Sequence, residues 1–193
     1  MAVLTEGEFL ELLRKTGALL EGHFLLSSGL HSPHYVQCAR LLQHPGLAAR
    51  ACAALASKAA RLEPFDVVIG PALGGIIVAY ELGRALGVRG MFAEREEGKL
   101  ALRRGFSLSP GERVLIAEDV VTTGRSSLEV AGLVAALGGT AVGVACLVDR
   151  RKGDEFPLPL VSLVRLELEA FPPGECPLCR EGVPWSKPGS RPS

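Results

Sequence analysis

Residues 114–130 read VLIAEDVVTTGRSSLEV. An aliphatic, β-branched run ends at two adjacent acids, Glu118 and Asp119; a turn of hydroxyls and glycine follows, and then an apolar helical pattern opens. The order predicts strand, loop and helix. Adjacent carboxylates repel, and each resists burial without a partner, so something is expected at the strand end to receive them. The turn Thr122, Thr123, Gly124, Arg125 and Ser126 offers hydroxyls and approachable backbone N–H groups before a helix N-terminus, which carries about half a positive charge. Together these make a phosphate cradle. The competing reading is a capped helix start, with Ser126 or Ser127 closing the first turn and Glu129 helping. That reading explains the hydroxyls but not the acids beside them. A phosphorylated sugar satisfies both: its phosphate takes the turn and its ring hydroxyls donate to the carboxylates.

Outward from this stretch the same unit recurs. Upstream, FDVVIG (65–70) is a β-branched run ending at Gly70-Pro71, and IIVAYELGRALG (76–87) is a helix closed by Gly87. Downstream, LEVAGLVAALG (128–138) stops at Gly138-Gly139 and TAVGVACLVD (140–149) is a further strand. Helices are also predicted over 5–21 and 46–62. Strands alternating with helices of about a dozen residues predict an α/β fold, a central parallel sheet flanked by helices on both faces. In such sheets ligands bind outside the carboxyl ends of the strands, where GPALGG (70–75) and EDVVTTGRSS (118–127) both fall. Residues 91–112 are charged and glycine-punctuated, predicting short strands or a mobile loop outside the core. Residues 22–45 carry turn signals around a short YVQCA strand. The Pro/Gly-rich tail from Phe171 can be ordered only by packing onto the rest of the chain or by a ligand. The expected organisation is one domain over 1–193: a small N-terminal hood over about 1–45, a core over about 46–170 and the tail 171–193.

Lys+Arg and Asp+Glu number 21 each, so the formal charge is zero and no broad footprint for nucleic acid or an anionic membrane exists. The longest apolar run is too short to span a bilayer. Five cysteines without a secretory signal argue against a disulfide framework and for the cytoplasm. Neither the Walker GxxxxGK[ST] spacing nor GxGxxG occurs.

VLIAEDVVTTGRSS resembles the phosphoribosyl-diphosphate (PRPP) signature of the type I phosphoribosyltransferases. GALLEGHFLLSSGLHSPHYVQCARLL is similar to the hood of the orotate-using branch, FAEREEGKLALRRGF to its mobile catalytic loop, and CLVDR to its strand ending in an orotate-side arginine. The resemblance extends over nearly the whole chain, the CPLCREGVP…KPGSR tail included. It implies transfer of the phosphoribosyl group of PRPP to orotate, giving orotidine 5′-monophosphate and pyrophosphate in pyrimidine nucleotide biosynthesis. A purine or xanthine phosphoribosyltransferase and a PRPP-sensing regulator are the alternatives; a closing loop with Arg95 and Lys99 argues against a pure sensor.

By that resemblance Glu118 and Asp119 hold the ribose 2- and 3-hydroxyls, and Val120, Val121, Thr122, Thr123, Gly124, Arg125 and Ser126 wrap the 5-phosphate. Leu73 and Gly74 meet the pyrophosphate, Arg95 and Lys99 close over it, and Lys99, Asp119 and Glu118 are the catalytic set. Arg150 pairs with the orotate carboxylate, with Thr122, Tyr35 and Val36 lining the base pocket. Mg²⁺ is implied as cofactor, held by PRPP and water with no direct side-chain ligation, and a homodimer is implied with no nucleic-acid or membrane partner. The chain departs from the family at Ser27, Gly74 and Glu96, where lysine is frequent, and at Ala101, near a loop histidine; Arg103 and Arg104 are candidates to compensate.

His23, His31, His34 and His44 have no metal-ligand spacing, and surface or turn roles are expected for them. Cys38, Cys52 and Cys146 sit in apolar runs as small hydrophobes. Cys176 and Cys179 form a lone CPLC, half of a zinc knuckle whose second ligand pair would have to come from elsewhere.

Overall fold

The computed structural model describes residues 4–26, 28–62 and 64–188. Helix α1 (Glu6–Lys15) is fixed by a capping box, Thr5 accepting from the Glu8 backbone while Glu8 reaches back to the cap, with acids in its first turn and Arg14 and Lys15 in its last. It ends six residues before the predicted 21, because Gly17 adopts φ 65° and the chain turns into strand β1 (Leu19–Leu25). Strand β2 (His31–Val36) pairs antiparallel with β1, so the predicted YVQCA strand begins earlier and ends earlier. Helices α2 (Ala39–Leu42) and α3 (Pro45–Ala59) follow, then a single 3-10 turn.

Next come β3 (Val67–Pro71), α4 (Gly74–Leu86), β4 (Arg89–Glu96), β5 (Lys99–Leu102), β6 (Arg113–Val121), α5 (Arg125–Ala136), β7 (Thr140–Asp149) and β8 (Leu160–Arg165). They form a six-stranded sheet in the order β5-β4-β3-β6-β7-β8, parallel except for β5. This is the expected α/β architecture, with an antiparallel edge and a two-stranded β1–β2 sheet beside it. Gly87 closes α4 at φ 72°, as predicted. Strand β8 went unpredicted: prolines at 157 and 159 precede a short run, LVSLVR, in which Ser162 interrupts the aliphatic residues.

The side-chain alternation of β3 and β6 splits the core into two layers. Val68, Leu115 and Ala117 face α1, α3 and α4, while Val67, Ile69, Val114 and Ile116 face α5. Strands buried on both faces read as unbroken apolar runs, which is why β6 could be recognised from sequence.

Two expectations need correction. Residues 91–112 are not wholly outside the core: Met91 and Ala93 of β4 are buried against β3, because the M-F-A-E alternation puts every second side chain inward before the charges begin. The charged part is a β4–β5 hairpin closed by Glu97 (φ 50°) and Gly98 (φ 85°), both left-handed as a two-residue hairpin turn requires. Helix α1 also belongs to the main core, with Phe9 and Leu13 fully buried there, so the part standing apart as a hood is β1–β2. The tail is ordered by packing: Phe171 bridges to His31 and Ser186 to Phe24. A short helix, α6 (Pro177–Arg180), lies between those bridges. Among the described residues no helix is long and apolar enough to cross a membrane.

Candidate active site at the carboxyl ends of the strands

Strands β3, β6 and β7 deliver their C-terminal ends side by side, carrying the GPALGG loop, the acidic pair and Arg150 respectively. The parallel sheet thus gathers on one edge what the sequence spreads over eighty residues.

The pleat resolves the acidic pair. Successive residues on β6 point to opposite faces, so Glu118 and Asp119 do not confront each other. Glu118 turns toward α5, where Ser127 Oγ donates to its Oε2 at 2.5 Å. Asp119 turns toward α4 and the hood; its Oδ1 accepts from the Val120 N–H at 2.8 Å, and a Cβ added to Gly74 would collide with its carboxylate. Burial pushes the Glu118 carboxyl up to about 7, partly opposed by Ser127, with the charge of Asp119 a lesser contribution. Burial raises Asp119 too, against the pull of the Val120 hydrogen bond. Desolvation, more than mutual repulsion, is the cost these acids carry.

The turn after β6 runs through exposed Thr122 and Thr123 to Gly124, whose φ of 72° starts α5. Helix α5 opens three residues earlier than predicted, at Arg125, and no side chain caps it. Ser127 is spent on Glu118, and Glu129 on Arg125 and Arg95, at 2.9 and 2.7 Å. The capping reading of Ser126 and Ser127 therefore does not hold; the Arg125 N–H reaches only Thr123 Oγ1, at a long 3.4 Å. The turn is tightly confined: a Cβ on Gly124 would meet the Phe156 ring, over which the Arg151 guanidinium stacks at 5.0 Å.

Arg95, on β4, bonds Glu129 and the Gly98 carbonyl, each at 2.7 Å, and so ties the hairpin to the start of α5. Lys99 stands exposed at the first position of β5, opposite Glu96. Arg103 and Arg104 pair with Glu96 at 3.3 Å and Glu94 at 2.9 Å. Leu73 is 75% exposed beyond β3, before the bare backbone of Gly74 and Gly75. Ser27 lies outside the described residues.

On the hood side, Tyr35 lies within electrostatic reach of both Asp119 and Arg150: burial and the Asp119 charge push its phenol up, and Arg150 pulls it down. Val36 points the opposite way and packs in the main core, so only its backbone borders the Tyr35 face. The Arg150 N–H donates to the Val121 carbonyl at 2.7 Å, anchoring the residue to the strand that bears the acids. Its side chain is half-buried, with Nε lacking any hydrogen-bond partner, and burial lowers its pKa. Among the described residues it makes no ion pair, whereas adjacent Arg151 is held by Asp149 through bonds of 3.0 and 2.9 Å.

The structure thus brings together Asp119, Gly74, Tyr35 and Arg150 on one side of β6, and Glu118, Ser127 and the α5 start on the other. Sequence reasoning missed Ser127 as partner of Glu118, Glu129 as the bridge between Arg95 and Arg125, and Phe156 over the turn. Only Glu129 left a signal, its spacing of four from Arg125 on one helix face.

The phosphoribosyl transferase domain family matches residues 38–167. An orotate phosphoribosyltransferase of Heliobacterium modesticaldum is 53% identical over 192 residues, covering 97% of this chain and all of that protein. One from Pelotomaculum thermopropionicum is 51% identical over 189 residues, covering 97% and 99%. Among solved structures, orotate phosphoribosyltransferase from Aeropyrum pernix superposes with a TM-score of 0.71 at 30% identity, covering 81% of this chain and 93% of that one. Domain match, near-full-length identity and fold agree, and the chain belongs to the orotate phosphoribosyltransferases, within the phosphoribosyl transferase domain family.

Proposed function

We propose that the site at the ends of β3, β6 and β7 transfers the phosphoribosyl group of PRPP to orotate, giving orotidine 5′-monophosphate and pyrophosphate for pyrimidine nucleotide synthesis. Full-length similarity to orotate phosphoribosyltransferases supports the reaction. The observation that carries the choice of base is Arg150: a half-buried guanidinium with an unpartnered Nε beside Tyr35 fits the carboxylate that distinguishes orotate from purines.

In this reading the start of α5 and the Thr122–Ser126 turn take the 5-phosphate, with Val120 and Val121 supplying the strand end beneath it. Asp119 and Glu118 accept from the ribose hydroxyls. Leu73 and Gly74 present backbone to the pyrophosphate, and Arg95 and Lys99 come from the hairpin to meet its charge. Orotate N1 forms the new bond to the anomeric carbon while the bond to pyrophosphate breaks, the electron pair leaving with pyrophosphate and the N1 proton passing to the departing pyrophosphate or to water. No side-chain nucleophile is needed. Negative charge grows on the leaving group, and placed cations stabilise it there more than in the ground state. Most of the acceleration comes from positioning and electrostatics, with water kept from the cationic sugar.

The site also fits a magnesium ion carried by PRPP. Magnesium prefers oxygen ligands and keeps several waters; the carboxylates of Asp119 and Glu118 flank the sugar side, and Gly74 leaves room before Asp119 that a side chain would fill. Asp119 and Glu118 would orient the hydroxyls and waters around it. When bound, the ion neutralises charge developing on pyrophosphate.

A second copy of the chain is the partner that fits the α4 flank. Leu73, Ile77 and Tyr80 are 75%, 42% and 64% exposed, beside an apolar hollow of about 290 Å³ lined by Met91, Phe92 and Phe106. The hollow adjoins the Leu73 end of the site rather than forming it. Tyr80→Glu should convert a dimer to a monomer in light scattering; a wild-type monomer at micromolar concentration contradicts this pairing.

The activity is tested by following loss of orotate absorbance in the presence of PRPP and Mg²⁺ together with release of pyrophosphate. Stoichiometric consumption of both substrates is expected, and absence of turnover with folded protein overturns the reading.

A further inference from the structure

The CPLC segment of the tail and two histidines of the hood meet in one buried cluster. Among the described residues, His23, His31, Cys176 and Cys179 place their ligand atoms all within 4.8 Å of one another. His23 Nε2 lies 2.7 Å from His31 Nδ1, Cys179 Sγ 3.2 Å from His31 Nδ1, and Cys176 and Cys179 Sγ 3.4 and 3.7 Å from His23 Nε2. Both histidines are only 4% exposed and Cys176 1%, which overturns the surface or turn roles expected for His23 and His31. The missing second half of the zinc knuckle comes from β1 and β2.

We propose that these four side chains bind a structural divalent transition metal of the zinc class, clasping the tail to the hood. Zinc bonds of about 2.0–2.1 Å to nitrogen and 2.3 Å to sulfur set tetrahedral ligand spacings of about 3.3–3.8 Å. Three of the sulfur–nitrogen spacings already fall at 3.2–3.7 Å, all ligand atoms lie within 4.8 Å, and the two nitrogens must part slightly. The tautomer is set correctly: a carbonyl only accepts, so the 2.7 Å contact between His23 Nδ1 and the Val183 oxygen puts the proton on Nδ1. Nε2 then offers its lone pair to the cluster, as the outward hydrogen bond of a metal-bound histidine does. Two thiolates and two neutral imidazoles are the set that favours zinc over magnesium or calcium. All four positions are filled by protein, leaving none open for substrate, so the role is structural.

The surroundings carry the consequence. The His31 N–H and carbonyl pair with Phe171, and Ser186 pairs with His23 and Leu25. The tail therefore stitches to the backbone of both metal-binding histidines. Strand β2, which begins at His31, carries Tyr35 to the active-site edge. A metal at the clasp fixes the hairpin that presents Tyr35, without touching substrate.

Metal analysis of the full chain, purified under reducing conditions and without metal-affinity steps, tests the clasp. One zinc per chain is expected, and loss of that zinc in Cys176→Ser and Cys179→Ser. Titration of the metal-free wild-type chain with Co²⁺ should give the visible absorption of a tetrahedral site with thiolate charge-transfer bands. These bands should be absent in Cys179→Ser and bleached by one equivalent of zinc. Chelator-stripped protein should melt at lower temperature and recover with zinc but not with magnesium. Three results overturn the proposal: substoichiometric metal together with no cobalt spectrum, an unchanged spectrum in the cysteine variants, or a Cys176–Cys179 disulfide in metal-free protein that retains the native melting temperature.

Discussion

The Glu118–Ser127 pair beside the turn after β6 and the hood–tail clasp both hold polar groups where water is scarce, yet they are built in opposite ways. The turn is one contiguous stretch, Glu118 to Ser127, folded back so that a strand end and a helix start share a hydrogen bond. The clasp joins His23 to cysteines 153 and 156 positions away and His31 to one 148 positions away, each from a segment too short to be stable alone. The first gets its geometry from local backbone; the second needs the whole sheet in place before its ligands can meet. The base side of the active site is intermediate, since Arg150 sits on the sheet but Tyr35 comes from the hood. Damage to the turn should therefore strike chemistry without unfolding. Damage to the clasp should strike order first and chemistry only through Tyr35.

Four variants probe that contrast, from the largest effect downward. Asp119→Asn should lower kcat by about a hundredfold or more, with a melting temperature close to wild type. Near-normal kinetics would remove the sugar-clamp role from the turn. Arg150→Ala should raise KM for orotate by roughly 10–100-fold, the worth of a charge-assisted hydrogen bond, while KM for PRPP moves little. Equal losses for both substrates would mean that the base side is not separable from the donor side. Lys99→Ala should slow turnover by about tenfold, an exposed cation being well screened, and leave orotate binding nearly intact. A pure binding defect would take Lys99 out of the chemistry.

The smallest effect is on stability. Glu118 has its folded-state pKa raised to about 7 from the ordinary 4.5. Between those values the folded state binds a proton that the unfolded state has released, so stability falls as pH rises through this window. Glu118→Gln removes that cost while keeping an acceptor for Ser127. Its melting temperature should exceed wild type by a few degrees at pH 8, and the gain should shrink by pH 5. A gain independent of pH would mean that Glu118 is not buried as a charge.

The same contrast explains what could be read from the sequence. β6, β7, α4 and the turn after β6 were legible because contiguous apolar runs and a Gly-hydroxyl sequence encode them locally. The start of α5 was misplaced by three residues because Ser126 and Ser127 look like capping residues, while the fold spends Ser127 on Glu118. The β4–β5 hairpin was blurred because its turn uses Glu97 at positive φ, and charges hide the inward Met91 and Ala93. Arg150 was singled out only through family resemblance, since nothing local separates it from Arg151. Its distinction, a guanidinium with no ion pair beside a neighbour that Asp149 holds, exists only in three dimensions. His23 and His31 were misjudged because ligand spacing was sought along the chain, whereas β1, β2 and the tail supply it across space.

The most direct measurement offers orotate, uracil, adenine, hypoxanthine and xanthine in parallel to the full-length protein with PRPP and Mg²⁺. Rapid consumption of orotate with little turnover of the other bases is the predicted result. Brisk purine turnover with orotate left untouched would contradict the assignment of Arg150 and Tyr35 to an orotate pocket.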